Sequence, residues 1–584
     1  MNMMMEPTTS RPPPPADEDI ISKLPGDVLV LVLEKLNLRD AVRVGVLSRR
    51  WRCLIPNQLP RLHLDIKDFL PDDHQGGFYD HDDGQSEDDD DQDDGQEEYD
   101  DMPDYQDAGD GYDDHEDDSQ VEDDREDDGQ VEEEEEEEED MPDDHDDHED
   151  DGQVEEEEDD MPDDHDGEDY YRDVLSEAGD KMVDAAAALL ASRQAAGVGV
   201  GDQFGGVRTT LAMRFFLRHN YMSLGRLLDG AVAGGKVSAA ELTVSTTCRL
   251  DRDDHHETER ALAGYGRRFR ALFDACLAAF GALTWLTVEK MRHATCDLRD
   301  ILTTCTRLEK LSLSQCGPAH GKIWQVRHAR LTDITIYLCS MYGVDFIWLP
   351  RLERLTFQGW FWTTNKLVSF GHVPRLTTVT LSNDDDCNGD QTLQLSHIFA
   401  NTSISDLRLN FRGSNIWVQP ESPRRLTDIF CNLKNLKIRN VHEECGLTWI
   451  MFLLQSALHL QELYIKLMGH DCSEGTRKKV PWEMDTSFKH SSLAKVTIIG
   501  FYNTQETTIV TFIHHLVEAA VNLEEIYIRE DATASLCEVC GYAQHDGSRF
   551  PRTDEDKDTF RKRINDDGRS TTTTFKMHIQ PMST

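Results

Sequence analysis

One short apolar pattern recurs ten times between residues 283 and 528, and a chain with such a period has few folds open to it. The pattern is apolar, two variable, apolar, one variable, apolar. It appears as Leu283/Leu286/Val288, Leu308/Leu311/Leu313, Leu331/Ile334/Ile336, Leu352/Leu355/Phe357 and Leu376/Val379/Leu381. It continues as Ile404/Leu407/Leu409, Leu433/Leu436/Ile438, Leu460/Leu463/Ile465, Leu493/Val496/Ile498 and Leu523/Ile526/Ile528, and Ala239/Leu242/Val244 reads as an earlier copy. Alternation of this kind specifies a short strand buried on one side. Copies that start 21 to 33 residues apart then give one strand per unit, with a return segment of variable length. The expected fold class is α/β, with a solenoid of parallel strands. An ordinary α/β sandwich competes, but ten matches to one template leave it little room. No asparagine recurs at a fixed place, so an even, regular horseshoe is not expected.

A second constraint lies at residues 20–55, IISKLPGDVLVLVLEKLNLRDAVRVGVLSRRWRCLI. Pro25 fixes φ and suits a helix start, and Asp27 offers an oxygen to the free amides of the first turn. Asn37, Arg39 and Asp40 break the run, and Ser48 can cap a third segment around Trp51. So small a unit cannot bury Val28 to Leu33, Leu36, Val42, Val46, Leu47 and Trp51 against itself, so it needs a partner. VLVLVL could equally be a buried strand by periodicity alone, but the flanking breaks and caps point to helices.

The run LPGDVLVLVLEKLNLRDAVRVGVLSRRWR closely resembles the plant F-box, keeping the Leu-Pro opening, the Leu-Arg-Asp-Ala break and the Ser-Arg-Arg-Trp-Arg close in order. Residues 484–530 look like the FBD segment that ends many plant F-box/leucine-rich-repeat proteins, through a strand at Leu493/Val496/Ile498, Gly500-Phe501, Glu506, a helix from Phe512 to Ala520 and a strand from Leu523. With the repeats, the resemblance spans about two-thirds of the chain. It implies a three-helix hook that docks on the Skp-type adaptor of a cullin-RING (SCF) ubiquitin ligase, and repeats that hold a target protein. Leu24, Pro25, Val28, Leu29, Leu33, Leu36, Val46, Leu47 and Trp51 are the expected adaptor contacts. The implied role is a non-catalytic substrate adaptor without a cofactor.

Charge is concentrated in one place. Residues 72–169 hold 57 of the 114 Asp and Glu, with Arg125 as the only basic side chain, so the net charge of −55 describes this tract. It contains near-duplicates: DGQVEEEE at 128–135 and 151–158, and DMPDDHD at 140–146 and 160–166. Such composition cannot bury enough apolar area to offset chain entropy. A disordered acidic insert is expected, and a chromatin or histone-binding protein working through it is the alternative function. The expected organisation is then a disordered stretch over 1–19, the F-box over 20–58 and a first repeat strand over 59–71. The insert follows over 72–169, repeats over 170–483, the FBD-like segment over 484–530 and a loose tail over 531–584.

Other chemistry finds little support. There is no P-loop, HExxH or nucleophile elbow. Cys537 and Cys540 with His545 have half of a zinc-ligand spacing and no second pair, and His470, Asp471 and Cys472 are a weaker coincidence. No metal is expected. Arg49, Arg50 and Arg52 read as the charged face of a short helix, and the acidic insert further disfavours nucleic acid. The amino terminus lacks a secretory pattern, and no apolar run reaches membrane-spanning length. The 13 scattered cysteines suit reduced thiols. An intracellular protein, nuclear or cytoplasmic, is expected.

Residues between the buried strand positions should face the open side of the solenoid. Arg408, Lys437, Arg439 and Lys466 make its later part basic, while Tyr464 and Tyr527 supply aromatic contacts, so these six are the candidate target-binding residues. LPRLHLDI at 59–66 should dock as the first strand, with the acidic tract spliced in after it. Closure entropy grows only slowly with loop length. Replacement of the tract by a short Gly/Ser loop is therefore expected to leave adaptor co-purification and the thermal melt unchanged. A large loss of melting temperature would make the tract a structural element.

Overall fold

The computed structural model describes residues 24–33, 59–71, 168–192, 209–247 and 255–293, a few positions between 35 and 44, and 298–580 with interruptions. The chain divides into two compact units, Met1–Gln75 with Asp169–Thr584, and Gly76–Glu168. The second lies almost wholly outside the described residues, as do the acidic tract and the second and third hook helices apart from helical Asp40, Arg43 and Val44.

Among the described residues, fourteen strands form one continuous sheet in the first unit. Along the chain they are β1 (Arg61–Asp65), β2 (Thr210–Phe216), β3 (Ala239–Ser245), β4 (Leu283–Glu289), β5 (Lys310–Ser314), β6 (Asp333–Tyr337) and β7 (Arg354–Gln358). Then come β8 (Thr378–Ser382), β9 (Asp406–Asn410), β10 (Asn435–His442), β11 (Glu462–Met468), β12 (Lys495–Ile499), β13 (Glu525–Arg529) and β14 (Lys576–Gln580). Each pairs in parallel with its neighbours in sequence. The apolar positions of the repeated pattern are buried throughout: Leu355 and Phe357 are 1% exposed, Leu407 and Leu409 0%. Burying each such side chain contributes about 1.5–3 kcal/mol, so the stack of repeats carries its own core.

The irregular repeat length has a geometric cause. Where copies start 21 to 24 residues apart, at Leu308, Leu331, Leu352 and Leu376, the return segments are strands: Ile323–Arg327, Gly343–Trp348 and Val368–His372 form a second, three-stranded parallel sheet. Longer returns elsewhere carry helices, such as Leu298–Thr304, Leu395–Ile398, Pro423–Leu426, Ile450–Ser456 and Glu506–Ala519. A strand rises about 3.3 Å per residue and a helix about 1.5 Å, so only an extended segment crosses the return layer with so few residues. Aromatic contacts join the two kinds of return: Phe346 stacks on Phe370 at 5.5 Å and Phe370 on Phe399 at 6.4 Å, and Phe399 meets the tilted ring of Phe430 at 6.1 Å.

Backbone ladders do the work of the missing asparagines. At the start of β3 and of β6 to β13 one carbonyl accepts two successive amides of the next repeat: Thr332 and Asp333 donate to Glu309, Glu353 and Arg354 to Thr332, Thr377 and Thr378 to Glu353, and so on to Glu524 and Glu525 on Ala494. In two repeats a buried histidine adds a side-chain link. His328 Nδ1 accepts from the Leu331 amide at 3.1 Å and the Arg330 amide at 3.2 Å, while Nε2 meets the Cys305 carbonyl at 3.0 Å. His490 repeats this with Leu493, Ser492 and the Ala457 carbonyl at 2.9 Å. A carbonyl only accepts, so Nε2 carries the proton and Nδ1 stays bare.

At the far end of β4, β5, β6 and β7 the chain leaves the sheet through a left-handed residue: Lys290, Gln315, Leu338 and Gly359, at φ of 52°, 52°, 48° and 66°. Their amides donate to the next repeat, Leu338 to Gln358 and Gly359 to Ser382, both at 2.8 Å. At Gly359 a Cβ would also stand 2.2 Å from Leu338 Cδ2.

The first strand docks where LPRLHLDI is expected to, and one other expectation changes. β1 pairs with β2, Arg61 opposite Thr210 through Asp65 opposite Arg214, so the sheet begins before the first recognisable copy and residues 66–209 depart between two adjacent strands. The segment 531–584 read as a loose tail, but Asp554–Asn565 is helical and β14 extends the sheet beyond β13. It lacks the leucine pattern, because an edge strand buries less: only Ile579 of β14 is buried. Three return segments, expected only to vary in length, are strands of a second sheet.

Gly359→Ala is expected to cost about 1–2 kcal/mol from backbone strain alone, read as a lowered denaturation midpoint. Burial pulls the pKa of both His328 and His490 below the ordinary value. The unfolded chain then takes up protons first, so stability is full above about pH 6.5 and falls as the pH drops below it. Replacing both by Asn, which keeps an acceptor without titrating, should flatten this pH dependence in thermal melts. An unaltered slope would place its origin elsewhere.

Candidate protein-interaction surfaces

The hook helix α1 (Gly26–Leu33) begins where the Leu29 amide donates to the Pro25 carbonyl at 3.1 Å, the first bond that the proline ring leaves in place. Every position from Val28 to Leu33 is apolar, so periodicity could not say which side turns inward. The structure decides: Leu29 and Leu33, one turn apart, are 0% and 1% exposed, whereas Leu31 and Val32 are 62% and 42% exposed. Leu29 and Leu33 are already buried within the chain, and the open apolar surface of α1 belongs to Leu31 and Val32. Leu24, Val28 and Leu36 are half-buried and Pro25 is exposed; Val46, Leu47 and Trp51 lie outside the described residues.

The second surface is the outer face of the large sheet, on which register places residues in columns. The middle column runs Thr243, Thr287, Ser312, Thr335, Thr356, Thr380 from β3 to β8. It continues as Arg408, Lys437, Tyr464, Thr497, Tyr527 and His578 from β9 to β14. A stretch of small hydroxyls thus gives way to a stretch of cations and rings. Arg408 and Tyr464 are half-buried and Lys437 is exposed, with Arg408 and Lys437 directly opposite each other.

Arg439 stands opposite Asn410 and is half-buried. The β10–β11 register then shifts between Ile438 and Val441, and Asn440 adopts a φ of 54°. Lys466, beside this irregularity, is only 8% exposed. It belongs to the packing of the bulge and not to an open basic surface, a placement that strand alternation alone could not foresee.

Tyr527 sits in an assembled cluster. Its ring stacks on His578 with centroids 4.6 Å apart and planes at 13°. Lys495 Nζ and Arg529 Cζ lie 5.7 and 5.3 Å from its centroid. Its hydroxyl donates to Glu525 at 2.9 Å, and this bond pushes the phenol pKa up. Sequence reading missed His578 as a partner because β14 was not recognised. It also missed Trp285, 38% exposed at the start of the face, with Lys310 Nζ 4.7 Å from its ring centroid.

The column nearest the strand starts is different again. It alternates in sign, with Lys310, Asp333 and Arg354 in register, and Glu462, Lys495, Glu525 and Lys576 likewise. Arg354 bonds Asp333 across strands, and Asn435 Nδ2 donates to Asp406 at 2.8 Å. Opposite-charge neighbours on a sheet stabilise each other modestly, so this column largely neutralises itself.

Reactive groups are placed for packing. Cys276, Cys305, Cys316, Cys339 and Cys445 are buried free thiols, and burial, reinforced by the Asp229 carboxylate, pushes the Cys276 thiol up to about 11. Among the described residues no three His, Cys, Asp or Glu gather as metal ligands, and no helix is long and apolar enough to cross a membrane. Cys537, Cys540 and His545 lie outside the described residues.

Comparison with known proteins agrees with this layout. Residues 21–63 match the F-box domain, and residues 266–555 match the leucine-rich-repeat domain of the At1g61320/AtMIF1 family. A stretch of 49 residues is 49% identical to the Arabidopsis thaliana "Putative F-box protein At1g67390", covering 8% of this chain and 10% of that protein. Another of 63 residues is 46% identical to the Arabidopsis thaliana "FBD-associated F-box protein At5g18780", covering 11% and 14%. These alignments span only a small part of either relative. An F-box hook followed by a one-strand-per-repeat solenoid of this family makes the chain a plant-type F-box/leucine-rich-repeat protein.

Proposed function

We propose that the chain is the substrate-recognition subunit of an SCF ubiquitin ligase, nuclear or cytoplasmic, with the hook on a Skp-type adaptor and the outer sheet face on a target protein. The observation that carries this reading is the apolar helix α1, which buries Leu29 and Leu33 within the chain and still exposes Leu31 and Val32, inside a segment that matches the F-box domain. Two large exposed apolar side chains side by side on one short helix suit a protein partner. Catalysis in such an assembly is proximity: this chain would hold a target lysine near a ubiquitin-charged enzyme and form no bond itself. The fourteen strands give the target a long face built on rigid elements.

The burial pattern makes the test sharper than a single mutation. Leu31→Asp introduces a charge at an exposed site, so it should abolish co-purification of the adaptor while the thermal melt of the chain is unchanged. Leu29→Asp buries that charge in the hook, and should lose adaptor binding through local unfolding, a penalty of several kcal/mol. Full adaptor recovery with Leu31→Asp would refute the proposed docking face.

A further inference from the structure

We infer that the return side of the solenoid carries a second docking surface, built on Trp348 with Arg327, Arg351 and Arg375. It fits an acidic protein segment with an apolar side chain among its carboxylates. This goes beyond the reading above, because the surface lies on the three-stranded sheet of return segments and not on the outer face of the large sheet.

Two backbone devices present the ring. Phe346 is buried, so strict alternation would send Trp348, two residues on, into the core as well. The strand Gly343–Trp348 instead takes an extra residue, Ile347, against Ile323–Arg327, which shifts the register and sets Trp348 opposite Arg327. Trp348 is 44% exposed, with exposed Arg327 in register on one side and exposed His372 on the other. The kink also needs Gly371 on the third strand, where a Cβ would stand 2.5 Å from the Ile347 carbonyl oxygen. A large ring turned outward where alternation would bury it has the character of an interface anchor.

Charge complementarity names the occupant. Each return strand runs through a turn into the large sheet, and an arginine follows three residues after Arg327, Trp348 and His372: Arg330, Arg351 and Arg375. This rim already pairs two of its arginines with carboxylates, Arg330 with Glu309 at 2.7 Å and Arg354 with Asp333. Arg327, Arg351 and Arg375 are exposed and make no such pair among the described residues. Half-buried Glu353 is the nearest further acid in these turns, and Asp345 accepts from the Ser369 hydroxyl. Three guanidinium forks around one ring therefore suit a segment that supplies carboxylates and one apolar side chain. A continuous phosphate backbone would pass Glu309, Asp333 and Glu353 in successive repeats, whereas a peptide can set its acids on the arginines alone.

The test uses the full-length chain at physiological salt. Probes are a fluorescent peptide pool with glutamates fixed on both sides of a leucine, the same pool with glutamines, and a single-stranded oligo-dT. The acidic tract adds the same repulsion in every variant, so differences among variants report the surface alone. The glutamate pool should bind about tenfold or more tightly than the glutamine pool, a difference typical of charge-assisted bonds. Arg351→Glu should erase that preference, and Trp348→Ser should weaken both pools alike. Lys437→Glu, the same change of charge on the outer sheet face, should leave binding intact, and the thermal melt should be unaltered in all three. Equal or absent binding of the two pools, a preference that survives Arg351→Glu, an equal loss in Lys437→Glu, or tighter binding of oligo-dT than of the glutamate pool would each overturn the inference.

Discussion

The structure depends on a backbone constraint: each parallel strand must be carried away and returned in the same direction beside its predecessor. Parallel pairing forbids a hairpin and demands a crossover every time. Here the crossover is fixed at both ends by main-chain bonds between repeats, with paired amides meeting one carbonyl where strands begin and a left-handed residue leading out where β4 to β7 end. Because these bonds use no side chain, the return segment is free to be a strand, a helix or a single turn. That freedom explains how one sheet of fourteen strands accommodates repeats of such different length. Where a side chain does join in, at His328 and His490, it reaches the residue in the same position of the preceding repeat, Cys305 or Ala457.

The constraint also composes the outer face. A parallel register without slips from β4 to β10 stacks equivalent residues into columns, so the chemistry of the surface is written one residue per repeat. Three functions separate by column: charge alternation at the strand starts, hydroxyls giving way to Arg408 and Lys437 in the middle, and buried apolar positions between. The bulge after Ile438 interrupts this order and takes Lys466 out of the surface. The cluster around Tyr527 is the product of the last three strands, where ring, imidazole and flanking cations come from β12, β13 and β14.

Insertion between β1 and β2 follows the same logic. The two strands meet through main-chain pairing and Arg61 reaches past its neighbour to Glu241 on β3, at 2.5 Å. The described helices between them, Ile66–Phe69 and Glu168–Ser192, take no part in that strand pairing. A long acidic tract can occupy the place because closing a longer loop adds little entropy cost.

Much of this was legible in the residues alone. The leucine pattern named the strands from Leu283 to Ile528, because burial of alternate side chains is a local property of a strand and leaves a period-two trace. The Leu-Pro opening, polar breaks and capping residues marked the hook. Tertiary structure alone decided three things, each for a reason that no local pattern contains. The inward side of α1 was ambiguous because apolar residues surround the helix, and only packing separated Leu29 and Leu33 from Leu31 and Val32. β14 was invisible because an edge strand has one neighbour and needs little apolar content. The grouping of Arg408 with Lys437, and of Tyr527 with His578, arises from register between distant segments, and register is set by the whole ladder and by no single repeat.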